Sequence, residues 1–405
     1  MLPKLKLHWQ ILIALILAVA FGYFTPNLVQ YVSWMGVIFL RGLNMVVVPL
    51  ILSSIISGVA SIGSGTNLGR LGAKTLSYYI LTSLIAILIG LLFVNLLQPG
   101  VGANLGNAET VNSLPTAGNS VSDILVRIIP DNIFDAMSKG QILPVIFFAI
   151  LFGAFITQIP AKKQEFLVNL FDSVFEVMMK ITMFIIRFTP LGVFAIVSKE
   201  VAKNSGSLGN IAGSLGIYML TVLISLIVHG GIILPLSVKI IGKANPYKHF
   251  RNMAAPLLTA FSTSSSNAAL PLSMEATEHK NGVSSKITSF TLPLGATINM
   301  NGTALYECVA VIFIAQAYGI NLSIGQQAIV VVTALLAAIG SAGIPMAGLV
   351  MMTIVLTAVN LPLEGVGLIL AVDRILDMSR TTINVWGDTC AAVIIAKSEG
   401  EKLNI

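Results

Sequence analysis

At 405 residues, 56% of them hydrophobic and only 10% charged, the chain is too apolar to keep a water-facing surface all round, which excludes an ordinary soluble enzyme or binding domain. Its net charge of +6 is gathered in short connections between apolar stretches, so a membrane surface accounts for it and no nucleic-acid partner is required. We therefore expect an all-α integral membrane protein forming one polytopic domain over residues 1–405.

The first apolar run follows Lys4 and Lys6 and ends near Tyr23. Ala18, Val19 and Ala20 look like a signal-peptide cleavage site, but the many spans that follow favour an uncleaved first helix. Further spans are expected at 34–62, 75–97, 166–197 and 211–241, with a broken apolar region at 124–159. Residues 100–122, rich in Gly, Asn, Ser and Thr and without Lys or Arg, read as a flexible external loop. Lys4, Lys6, Arg70, Lys74, Lys162, Lys163, Lys239, Lys243, Lys248, Arg251, Lys280, Lys286, Lys397 and Lys402 fall on one side of this layout, and Lys199 and Lys203 on the other. By the positive-inside rule both termini are cytoplasmic and the protein resides in the cell membrane. Cys308 and Cys390 lie in apolar runs and carry no disulfide or metal signal.

Two apolar arms at 254–274 flank the polar tip Ser262-Thr263-Ser264-Ser265-Ser266-Asn267, and each arm is too short to cross a bilayer, so the pair predicts a re-entrant hairpin. The helix expected at 287–317 is interrupted at 297–303, where unwound backbone carbonyls could ligate a cation. A second pair of arms, 328–359, surrounds the tip Gly340-Ser341-Ala342-Gly343-Ile344-Pro345. The last helix then aligns Asp373, Asp377, Arg380, Thr381, Asn384 and Asp388 in a stripe roughly 100° wide. Ionisable groups at hydrocarbon depth cost at least ~2.5 kcal/mol each unless they are paired or line a cavity, so the stripe marks a binding or ion pathway. Hairpin then broken helix, twice, predicts about eight transmembrane helices plus two re-entrant hairpins, in inverted repeats with a midplane site.

The serine-rich tip, Leu294-Gly295-Ala296-Thr297-Ile298-Asn299-Met300, Gly302-Thr303-Ala304-Leu305-Tyr306, the Gly-Ile-Pro tip and Asp377-Met378-Ser379-Arg380-Thr381 with Asn384 and Asp388 resemble the glutamate transporter homologues of the dicarboxylate/amino acid:cation symporter family. The resemblance implies a homotrimer in the lipid bilayer with an elevator-type transport domain. The scaffold is expected mainly in 1–70 and 120–240, and the transport part in 71–100 and 245–400. It also implies cation-coupled symport of aspartate or glutamate, with sodium or protons as co-substrate and no organic cofactor.

Chemistry suits the implied roles: Arg380 as a fork for a side-chain carboxylate, Asp377 as acceptor for an α-ammonium, and Asn384 for the α-carboxylate. By the family pattern Ser265, Ser266, Thr303 and Thr381 complete the substrate site, and Ile344 and Gly348 cover it. The competing reading of Arg380 is an internal ion pair with Asp377 or Asp373. One implied sodium site joins Asp388 with Gly295, Asn299 and Asn384, and another joins Thr297, Ala338, Ile339 and Ser341. A third joins Tyr79, Thr82, Ser83 and Asn299 with Asn301, where the family has Asp; the lost charge predicts a weak or absent third sodium.

The chain also has Ser264 and Met378 where different family members carry an Arg, and Arg374 is not assigned to substrate. A proton-coupled or dicarboxylate carrier and an anion channel are the alternatives. His8, His229, His249 and His279 lie away from the polar tips in sequence, which argues against an enzyme.

Overall fold

The computed structural model describes residues 7–60, 66–103, 129–139, 141–203, 208–339 and 347–405, and every regular element among them is helical. The amino-terminal half comprises α1 (Leu7–Phe24), α2 (Ser33–Ala60), α3 (Thr66–Leu97), the short α4 (Ile133–Ser138), α5 (Ile142–Ile156), α6 (Ala161–Ile186) and α7 (Thr189–Lys203). Most of the loop expected at 100–122 lies outside the described residues. Arg70–Leu97, Ala212–Ile240 and Ser285–Ala317 are each long and apolar enough to cross a membrane, and the bent pair α6–α7 makes a fourth such stretch.

That bent pair corrects the single span expected at 166–197. The two helices lie 54° apart, and Pro190 stands in the first turn of α7. A proline there is harmless to the new helix, but its ring would clash with the carbonyl four residues back if α6 continued. The connection expected before Thr75 is also helical: α3 starts at Thr66 and brings Arg70 and Lys74 to Glu399, at 2.5 and 2.6 Å.

The span expected at 211–241 forms as α8 (Leu208–Val228) and α9 (Leu234–Ile240), joined by a π turn at His229–Ile233. Gly230 in that turn faces Ile383, whose terminal methyl a Cβ there would have to displace. The sequence reading groups this helix with the scaffold, but it packs against α3 and the two long helices of the carboxy-terminal half.

That half follows the expected order: α10 (Pro246–Asn252), α11 (Ala254–Thr263), α12 (Ser266–Glu275), α13 (Ser285–Ile298), α14 (Asn301–Ala317), α15 (Ile324–Ile339), α16 (Ala347–Ala358) and α17 (Gly365–Ser398). At ten residues, α11 and α12 are each about 15 Å long, half the hydrocarbon thickness. The chain reverses through Ser264, at φ +52°, and Ser265 caps α12 by accepting from the Ala268 N–H. The break between α13 and α14 is only Asn299 and Met300, tighter than the expected 297–303.

Two packing groups result. α1 lies along α7, and α2 packs against α5, α6 and α7. α14, buried along its length except at Gln316, is enclosed by α3, α8, α15, α16 and α17. The groups meet where α16 touches α2 and α5 and where α17 touches α1 and α7.

Candidate functional site

Leu376, Val385, Ala391 and Ala392 give α17 apolar contacts on the same helix whose stripe carries Asp373, Asp377, Arg380, Thr381, Asn384 and Asp388, all buried. The broken helix lies alongside: a Cβ at Gly302 would stand 2.5 Å from the Arg380 carbonyl, so the backbones touch there.

Arg380 is 1% exposed. Its Nε and Nη2 donate to Asp377 Oδ1 at 3.1 and 2.8 Å, and its Nη1 donates to Asp373 Oδ1 at 3.1 Å. Asp373 is held in turn by the Tyr306 hydroxyl at 2.8 Å, and the guanidinium carbon lies 4.2 Å from the centre of the Tyr306 ring. The internal ion pair is therefore real. It uses three of five N–H donors, which leaves one each on Nη1 and Nη2, the pair that a bidentate carboxylate requires. Gly348 covers the fork: a Cβ there would stand 2.9 Å from the Arg380 Cζ.

Asn384 caps α14. Its Oδ1 accepts from Gly302 N at 2.8 Å and Thr303 N at 3.4 Å, while Nδ2 donates to Thr303 Oγ1 at 3.1 Å and Met300 Sδ at 3.2 Å. A thioether is a weak acceptor, so Met300 is the partner a substrate carboxylate would displace most easily. Thr381 is buried on the same stripe. Ser266 is buried at the hairpin tip, whose two arms pack against α17. No hydrogen bond among the described residues joins Ser266 to Arg380, Asp377 or Asn384. Ile344 and Ser341 lie outside the described residues.

The candidate cation residues also converge. Asn299 Nδ2 donates to Asp388 Oδ1 at 2.8 Å, and a Cβ at Gly295 would fall 2.5 Å from that same oxygen and 2.7 Å from the Tyr79 hydroxyl. Tyr79 donates to the Thr291 carbonyl at 2.8 Å, and Thr82 turns back to the Tyr78 carbonyl at 2.9 Å. Ser83 donates to Asn301 Oδ1 at 2.6 Å. Asn301 Nδ2 and Asn299 Oδ1 are buried without a partner among the described residues. Thr297 has an exposed side chain bonded to Leu294 O at 3.0 Å, and α13, which carries it, packs against α15, which ends at Ala338 and Ile339.

Sodium:dicarboxylate symporters as a family match residues 7–398. The chain belongs to that family. It is 36% identical to the Proton/glutamate-aspartate symporter of Escherichia coli (strain K12), over 98% of this chain and 93% of that one. It is 38% identical to the Proton/sodium-glutamate symport protein of Geobacillus stearothermophilus, over 98% and 96% of the two chains. It is also 35% identical to Excitatory amino acid transporter 3 of Homo sapiens, over 98% and 87%. This symporter is accordingly a multi-pass membrane transporter and not an enzyme.

The sequence reading missed one group in this symporter. Glu307, in the apolar middle of α14, is 0% exposed, and neither of its oxygens has a hydrogen-bond partner among the described residues. An ionised carboxylate stripped of water and donors is costly, which sets Glu307 apart from the apolar residues around it. Its signal was the same as that of the α17 stripe, an ionisable residue at hydrocarbon depth, but isolated in a run of apolar neighbours. The supporting role of Tyr306 left no such signal, since a buried Tyr is ordinary.

Proposed function

We propose that this symporter moves aspartate and glutamate together with cations: sodium at the Asp388 site and the Thr297–Ala338–Ile339–Ser341 site, and a proton on Glu307. The observation that carries this reading is the charge of the buried site. Three buried acids, Asp373, Asp377 and Asp388, stand beside the single cation Arg380, a net charge of −2 with all four ionised. An acidic amino acid brings a further −1. Such an imbalance in a poorly hydrated interior demands cations that enter with the substrate.

In this reading the two remaining Arg380 donors take the side-chain carboxylate and Asp377 takes the α-ammonium. Asn384 and the Ser265–Ser266 tip take the α-carboxylate, Thr303 and Thr381 line the site, and Ile344 and Gly348 cover it. The third sodium site is weak: Asn301 offers a neutral amide oxygen, already accepting from Ser83, where a carboxylate would bring the charge that offsets a buried cation. The same reading makes the protein a homotrimer with both termini cytoplasmic, in which an elevator-type transport group, 66–103 and 208–400, moves against α1, α2 and α4 to α7. The test is uptake into liposomes with sodium, proton and substrate gradients varied independently. We expect aspartate and glutamate uptake to need an inward cation gradient, with serine and succinate carried poorly. Currents through the protein without substrate would favour an anion channel instead.

A further inference from the structure

The apolar face of the α8–α9 span ends in an unusual surface. Leu220, Ile227, Ile232, Leu236 and Ile240 are exposed at helical spacing, the face such a span turns to acyl chains. Directly after it come Lys239 and Lys243, and then α10, a seven-residue helix with Tyr247 75% and Phe250 54% exposed beside exposed Lys248 and Arg251. Leu258 and Phe261 extend the exposed apolar set onto α11. No Asp or Glu occurs between His229 and Met274.

This surface is rigidly built. Asn245 caps α10, its Oδ1 accepting from Tyr247 N at 3.0 Å and Lys248 N at 3.1 Å. The inward side of α10 is nailed down by His249, whose ring stacks on Trp386 at 4.7 Å and accepts from Asn281 Nδ2 at 2.8 Å. Phe250 meets the same indole edge-on at 5.4 Å. Lys239, Lys243 and Arg251 form no ion pair among the described residues, and Lys248 donates only to the Asn404 carbonyl at 2.5 Å. The carboxylates at the end of α17 are already engaged: Glu399 pairs with Arg70 and Lys74, and Glu401 accepts from Ser284 N.

We propose that α10 and its flanks form a docking surface for anionic phospholipid headgroups. Tyr247 and Phe250 sit at the boundary between tails and headgroups, as aromatic side chains do at membrane interfaces, and Lys243, Lys248 and Arg251 bind the lipid phosphate. Charge complementarity chooses the occupant: an aromatic surface with four cations in no ion pair among the described residues, on a stretch from His229 to Met274 without Asp or Glu, suits an anionic lipid better than a zwitterionic one. The continuous apolar face leading into it suits a lipid better than a soluble anion, since only a lipid satisfies both parts.

The test is native mass spectrometry of the intact protein equilibrated with phosphatidylcholine mixed with phosphatidylglycerol, for the unmodified chain, a Lys243→Gln/Lys248→Gln/Arg251→Gln variant and a Lys162→Gln/Lys163→Gln control. All five positions are exposed, and thermal unfolding checks that each variant is folded. The unmodified chain and the control should retain phosphatidylglycerol over phosphatidylcholine by about tenfold or more, the effect of little more than one basic residue at an anionic surface, and the triple variant should approach parity. Equal retention of both lipids by the unmodified chain, or an undiminished preference in the triple variant, would overturn the proposal. So would displacement of the lipid by millimolar inorganic phosphate, which would indicate a site for soluble anions.

Discussion

Arg380 combines two demands that a single cation rarely meets: it must be neutralised when buried and still grip a carboxylate. Asp373 and Asp377 meet the first demand and the unused Nη donors meet the second. Arg380→Ala should weaken binding of acidic substrates by roughly 30-fold or more, the range of about 2–5 kcal/mol for truncating a buried, hydrogen-bonded charge. Equilibrium binding of aspartate measures this, and Arg380→Lys, which keeps charge without the fork, should lose an intermediate amount. At Glu307 the proton is the variable. Glu307→Gln keeps a neutral, similarly shaped side chain, so uptake should persist while its dependence on a proton gradient disappears. At Asn301 the variable is sodium. Linkage makes the log-log slope of aspartate affinity against sodium concentration approach the number of ions bound with substrate, and Asn301→Asp should steepen it. A steep three-ion slope in the unmodified chain would sink the weak-site reading.

At the scale of elements, the short α10 depends on a histidine that must stay neutral. Burial pushes the His249 imidazole down to about 3, against a smaller upward pull from Asn281. Its folded value thus lies below the ordinary ~6.5, so the unfolded chain binds the extra proton at any pH between the two. Stability is complete above about pH 6.5 and falls as the pH drops toward 3, by up to ~1.4 kcal/mol per unit from this group alone. Thermal unfolding at stepped pH should show a shallower acid slope in His249→Phe, which keeps the ring stacking on Trp386. At the other end of α17, the Lys74 hydrogen bond, helped by Arg70 against some desolvation, holds the Glu399 carboxyl below its usual range. That contribution is present above the ordinary carboxylate value and is lost as the pH falls below it, so the two windows overlap in strong acid and His249 acts alone only between about pH 6.5 and the ordinary carboxylate range.

For the whole molecule, the elevator movement proposed above has to break the contact between the two packing groups. Gly367 on α17 lies against Ile196 on α7: a Cβ at 367 would fall 3.2 Å from the Ile196 Cβ. Cysteines at 196 and 367 are therefore close enough to bridge after slight adjustment. The native Cys308 and Cys390 are buried and should not compete. Oxidation of the Gly367→Cys/Ile196→Cys pair should arrest uptake while leaving aspartate binding intact, and reduction should restore uptake. Full uptake by the cross-linked protein would exclude relative movement at this contact.

The sequence by itself determined the helical membrane class, the two short arms of the first hairpin and the α17 stripe, because apolar run length and helical periodicity are local properties that the bilayer enforces. It also located the α13–α14 break, since the polar residues from Asn299 to Thr303 interrupt an otherwise apolar helix. The bend at Pro190 was legible in principle, but the surrounding apolar run concealed it. What only the tertiary structure decided is which groups satisfy one another. Tyr306 fixes Asp373, Asn384 spends its amide on capping α14, Ser83 meets Asn301, and Glu307 has no partner among the described residues. The physical reason is that a polar side chain in a membrane protein is defined by its partners, and these come from helices tens to hundreds of residues apart. Periodicity assigns a residue to a face of its own helix; only packing determines what that face meets.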